Sequence, residues 1–181
     1  MKSTRVGLLL LLLALVHSHV FAGATAQAIR RIYFVPVARH FQDQVGDQPG
    51  NVFVTFADGR HVALTANGNC AGGSYQMPKI APDHRTVAWL EGSYITPHDF
   101  AAETLVIYRD GHVLHKIHGE KAFIETWFFW NGSQQIVCKS RMGHGPAVVE
   151  LHDAISGRLV ARVDAYRINK TSPEWARSQA E

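Results

Sequence analysis

Two stretches of this chain carry apolar side chains on both sides of an extended backbone. Side chains alternate faces along a strand. In Thr86–Glu91, Val87 and Trp89 therefore fall on one side, and Ala88 and Leu90 on the other. In Ala122–Trp130, Phe123, Trp127 and Phe129 alternate with Ile124, Phe128 and Trp130. A strand that is apolar on both faces belongs between two layers. A single sheet with one wetted face does not fit this pattern. Apart from the last few residues, nothing after residue 27 shows helical periodicity, so the layers are predicted to be sheets.

The strands recur. FADGRHVALT, YRDGHVLHKI and DAISGRLVARV share one form: strand, Asp/Gly turn, basic or histidine residue, strand. Their turn glycines are Gly59, Gly111 and Gly157, at intervals of 52 and 46. APDHRTVAWL and FWNGSQQIVC share a second form, a polar turn before an apolar strand. Strands are predicted at Ile32–Val37, Val52–Phe56, His61–Thr65, Thr86–Glu91, Thr104–Arg109, His112–His118, Ala122–Trp130, Gln134–Lys139, Pro146–His152 and Arg158–Ala165, with loops at Ala38–Gly50 and Ala66–Tyr75. The order is half a unit followed by two full four-strand units. The expected fold is all-β: antiparallel blade-like sheets of an incomplete propeller, about two and a half blades. Ser172-Pro173-Glu174 predicts a short C-terminal helix, Pro173–Gln179, with Ser172 as its N-cap and Trp175 laid over an edge.

The run APDHRTVAWLEG, followed by LVIYRDGHVLHKI, resembles the TolB-like, WD40-related propeller repeat, in which a Pro-Asp-Gly turn precedes a strand and an Asp-Gly turn follows an Ile-Tyr strand. It also resembles small secreted bacterial proteins that carry a few such repeats and form a family of unknown function. The likeness covers roughly Val52–Ala165. This chain departs from the pattern at His84, where the repeat has Gly, and at Asn131-Gly132. It also departs in size, since propellers close with four or more blades. Blades too few to close a ring leave apolar outer faces, which implies covers within the chain, self-association or another protein as partner.

The first 26 residues have the layout of a secretory signal peptide. Lys2 and Arg5 precede the apolar run Val6–Val16, and small residues follow at Ala22–Ala26. Cleavage is expected after Ala24 or Ala26, which predicts a periplasmic or secreted protein without stable membrane insertion. The expected division is then a signal peptide at 1–26, a β-domain at 27–165 and a tail at 166–181. Removing the signal leaves 16 basic against 15 acidic residues, a net charge of +1. Nothing forms a Lys/Arg stripe, so nucleic acid is disfavoured as a partner. Cys70 and Cys138 are the only cysteines. In an oxidising compartment such a pair is expected to form a disulfide, with two separate buried thiols as the alternative.

No motif for catalysis, cofactor binding or metal binding appears. There is no Gly-x-Ser-x-Gly, His-Glu-x-x-His or phosphate-cradling loop. His112, His115 and His118 cannot share a metal on one strand: His115 points away from the other two, and those lie about 20 Å apart. Glu125, inside an apolar strand, is expected at an edge or in an ion pair, with a buried acid as the alternative. The remaining candidates for binding are loop residues: Tyr75 and Tyr94, each in a Gly-Ser-Tyr triplet, and His98, Asp99 and His144 near turns. The expected function is protein binding or scaffolding with no chemistry of its own. The alternatives are a hydrolase using His98 and His144, and an inhibitor or immunity-type protein presenting the loop Gly92–Asp99.

Overall fold

A computed structural model describes residues 28–36, 50–64, 74–94 and 100–179. The predicted signal peptide, Cys70, His98, Asp99 and most of the Ala38–Gly50 and Ala66–Tyr75 loops lie outside the described residues. Among those described, the chain forms eleven strands in three antiparallel sheets. The first sheet holds β1 (Ile29–Pro36), β2 (Gly50–Phe56) and β3 (His61–Ala63). The second runs in chain order through β4 (Ser74–Ile80), β5 (Thr86–Tyr94), β6 (Phe100–Arg109) and β7 (His112–His118). The third runs likewise through β8 (Phe123–Trp130), β9 (Gln135–Arg141), β10 (Val148–Asp153) and β11 (Leu159–Asp164). The half unit and two full units expected from the repeats are these three sheets.

The sheets stack face to face, and the middle one is buried on both sides. Val87 and Trp89 of β5, with Val106 and Tyr108 of β6, meet Ile29, Val52, Val54 and Phe56 of the first sheet. Ala88 and Leu90, with Leu105 and Ile107, meet Ile124, Trp127, Ile136 and Cys138 of the third. Alternation along β5 thus feeds two cores from one strand. The third sheet turns its far side to the C-terminal segment. There Val137, Val149 and Leu151 pack against Trp175 and Ala176 of the short helix α1 (Glu174–Arg177). Trp175 therefore covers a sheet face rather than an edge, at 9% exposure.

Several local features differ from the sequence reading. β4 begins within the predicted Ala66–Tyr75 loop and runs on through residues where no strand is predicted. It contains Pro78, a register shift between Gln76 and Lys79, and Met77 at φ 51°. An edge strand tolerates all three, because its outer side needs no ladder hydrogen bonds. In β8 the register shifts between Ile124 and Thr126, so Glu125 is an unpaired bulge. The bulge reverses the alternation, and Ile124 joins Trp127 and Phe129 in one core. Glu125 sits on this edge strand and pairs with Arg141 at 2.6 Å. The helix begins without a side-chain cap, and the Ser172 hydroxyl instead accepts the Asn169 N–H at 3.0 Å.

The turns that precede β5 and β9 touch each other. The Asp83 N–H donates to Ser133 Oγ at 3.1 Å. Asp83 also organises its own turn: its carboxylate accepts the Arg85 and Thr86 N–H groups, both at 2.9 Å, and the Thr86 hydroxyl at 2.8 Å. His84 adopts φ 53°, a left-handed conformation that favours glycine. Its carbonyl accepts the Ile29 N–H at 2.6 Å, tying the first sheet to the second.

Two changes test this framework. Burial raises the Asp83 pKa, but the hydrogen bonds from Arg85 and Thr86 and the charge of Arg109 outweigh it and hold the carboxyl below its ordinary 3.8. A lowered carboxyl stabilises the fold above the ordinary value and loses that contribution as pH falls through the lowered one. Asp83→Asn should cost about 2 kcal/mol in urea unfolding at neutral pH. The gap to wild type should narrow in acid, and a gap that persists in strong acid would count against the charge's role. Trp175→Ala should cost about 3 kcal/mol and raise binding of an apolar-surface dye, with unchanged stability as the opposing result.

Candidate functional site

The three sheets do not end alike. Gly59, Gly111 and Gly157, all at positive φ, each lie in the turn joining the last two strands of their sheet. That equivalence aligns β1, β2 and β3 with β5, β6 and β7, and with β9, β10 and β11. Among the described residues, the first sheet therefore has no counterpart of β4 and β8. Among the described residues, β1 is an edge strand where the other two sheets have a further strand.

The outer face of the first sheet follows from alternation. Ile32, Phe34, Val52 and Val54 point into the stack, so Arg31, Tyr33, Val35, Phe53 and Thr55 point the other way. Tyr33 and Phe53 are cross-strand partners, with rings stacked at 5.7 Å and 16°. The Arg31 guanidinium lies 5.1 Å from the Tyr33 ring centre. His61 of β3 places Nδ1 3.0 Å from Thr55 Oγ1 and 3.3 Å from the Tyr33 hydroxyl. Val35 is 41% exposed. Among the described residues no buried cluster forms on this side. The opposite end of the stack is closed by Trp175. The patch combines stacked aromatics, one guanidinium and hydrogen-bonding groups, a composition typical of protein contact centres.

A second constellation lies inside the stack, on the third-sheet face toward the second sheet. Cys138 on β9 is directly opposite Glu150 on β10, and His152 follows Glu150 on the same face. All three are buried, and one side-chain donor atom from each lies within 4.8 Å of the others. Cys138 Sγ is 4.0 Å from Glu150 Oε2, and His152 Nε2 is 3.6 Å from Glu150 Oε1. Ser140 Oγ donates to Glu150 at 3.1 Å, and the Glu120 N–H donates to it at 2.8 Å. Gly119 makes that last bond reachable, since a Cβ there would sit 2.6 Å from Ser140 Cβ. Burial pushes the Glu150 pKa up, but His152, the Glu120 N–H and Ser140 outweigh it, and the net shift is downward. Burial first, and the Glu150 charge second, push the Cys138 thiol far up, so it is protonated at neutral pH.

Of the residues singled out from sequence, the described ones stand in different settings. Tyr75 is buried between the first two sheets, tilted against Phe34 at 5.7 Å. The Tyr94 backbone closes β5. His144 is exposed on the turn after β9. His98 and Asp99 lie outside the described residues. Cys138 is a free buried thiol, so the expected bond to Cys70 is not seen, and Cys70 itself lies outside the described residues. Of the three strand histidines, His115 packs against Gly157, where a Cβ would stand 2.9 Å from its ring. His118 Nδ1 lies 3.2 Å from Thr104 Oγ1.

No protein-family model matches this chain, and no curated protein matches it. Solved structures do. A chain in a crystal structure of the mitotic checkpoint complex is 17% identical, covering 76% of this chain and 41% of its own, with a TM-score of 0.46. A protein from Bacteroides fragilis, provisionally named a 6-phosphogluconolactonase, is 11% identical, covering 66% of this chain and 51% of its own, with a TM-score of 0.30. This chain thus spans about half or less of these two solved chains.

Burial sets an expectation for Cys138. Alkylation at this residue, followed by peptide mass mapping, should be at least ~100-fold slower in the folded protein than after denaturation, because the thiolate is the reactive form. Labelling at the denatured rate in the folded protein would show that the third sheet opens readily.

Proposed function

We propose that this chain is an exported, periplasmic protein-binding module, with no chemistry of its own, whose partner docks on the first sheet. The observation that carries this reading is that, among the described residues, that sheet has three strands beside two sheets of four. β1 offers an edge where its neighbours have a strand, and an extended partner segment can add there by main-chain hydrogen bonds. The stacked Tyr33 and Phe53 rings, with Arg31, would then supply the side-chain contacts beside it. The export signal read from residues 1–26 supports the compartment. The TolB-like repeat supports a propeller-derived scaffold, and a mature charge near zero gives no reason to invoke nucleic acid.

The test uses a photo-crosslinking amino acid in place of Phe53 and, as a control at the capped end, in place of Tyr166, which is 68% exposed. A discrete adduct is expected from position 53 and none from position 166. Once the captured partner is purified, the double variant Tyr33→Ser, Phe53→Ser should weaken its binding by about 30-fold or more, on the scale of hot-spot losses. Equal labelling at both positions, or unchanged affinity, would reject the reading. An adduct of two copies of this chain would instead make the partner a second copy.

A further inference from the structure

We propose that Cys138, Glu150 and His152 form a binding site for one borderline-soft divalent cation, of the class of Zn2+, between the second and third sheets. The proposal is independent of the partner-binding reading and concerns a different part of the molecule.

The histidine carries the argument. His152 is 6% exposed. Its Nδ1 lies 3.2 Å from the Gly157 carbonyl oxygen. A carbonyl can only accept, so this is a hydrogen bond only when Nδ1 bears the proton. In the neutral ring Nε2 is then a bare lone pair. That atom is buried and has no hydrogen-bond partner. It is aimed at the Glu150 carboxylate, 3.6 Å away, which is another acceptor. Two buried acceptors facing each other call for a positive centre, which either a second proton on the imidazole or a bound cation can supply. A backbone carbonyl that fixes the remote ring N–H is the usual support of a metal-bound histidine.

The other donors fit the same cation. Glu150 takes the Glu120 N–H and the Ser140 hydroxyl on Oε2, and Oε1 faces His152. Cys138 stands opposite on the neighbouring strand, with the three donor atoms mutually within 4.8 Å. A set of one sulfur, one nitrogen and one oxygen suits Zn2+ or its surrogate Co2+ rather than Ca2+ or Mg2+, which take oxygen ligands. Binding would convert the Cys138 thiol to a thiolate and release its proton to solvent. The cation would tie β9 to β10 within the third sheet, on the face turned to the second.

The site is closed to solvent, so the cation must enter as the chain folds. The full chain is therefore produced in medium supplemented with Co2+, and separately with Zn2+. The expected result is one equivalent of metal per chain, with a thiolate-to-cobalt charge-transfer band and intense visible bands of a low-coordinate centre. Cys138→Ala should abolish the charge-transfer band, and His152→Gln should lower the metal content. The Zn2+-grown protein should also melt higher than protein grown with a chelator. Metal at well below one equivalent, or cobalt bound without the thiolate band, would overturn the proposal. The wild-type spectrum decides this even if a variant fails to fold.

Discussion

Everything in this molecule depends on the double-sided burial of the second sheet. β5 and β6 send successive side chains into two different cores, one shared with the first sheet and one with the third. Neither core is complete without both of its sheets. Hydrophobic burial is not directional, and it would not by itself fix how the sheets sit on one another. Specific polar contacts do that. His84 holds the start of β1 through its backbone, Asp83 reaches Ser133 across adjacent turns, and the Lys79 ammonium of β4 donates to the Trp127 carbonyl on β8. Lys79 also lies over the Trp127 ring, 4.8 Å from its centre.

The two ends of the stack are handled differently. At the third sheet a short helix brings Trp175 onto an apolar face and shields it. At the first sheet the outer face carries aromatic rings, a guanidinium and hydrogen-bonding groups, and the described residues supply three strands rather than four. A closed propeller would cover both ends with further blades. This asymmetry directs the functional reading to β1 and its neighbours. The buried Cys138, Glu150 and His152 belong to the interior instead, where polar groups are costly unless they are satisfied.

Much of the fold was legible in the sequence because alternation is a local property. Val87 and Trp89 do share one core, and Ala88 and Leu90 the other. The Asp/Gly turns marked the ends of hairpins, and the repeat order matched the sheets. β4 escaped notice because Pro78 and the bulge beside it break the pattern that identifies a strand. The faces of β8 were partly misassigned because one unpaired residue, Glu125, reverses the parity on either side of it. The candidate sites were far less legible. Cys138 and Glu150 are brought together by the register of β9 on β10, which no single strand encodes. The outer patch on the first sheet combines residues from three strands, and it is open because, among the described residues, no further sheet packs on that face.

The central claim is that the sheets are stable only as a stack. Native-state hydrogen exchange under increasing denaturant measures this directly, strand by strand. The amides of β5, β6, β9 and β10 should converge on one opening free energy and one denaturant dependence, because exposing either face of the second sheet dismantles both cores. Protection of β9 and β10 that persists after β5 and β6 have opened would show that the third sheet stands alone, and would contradict the account.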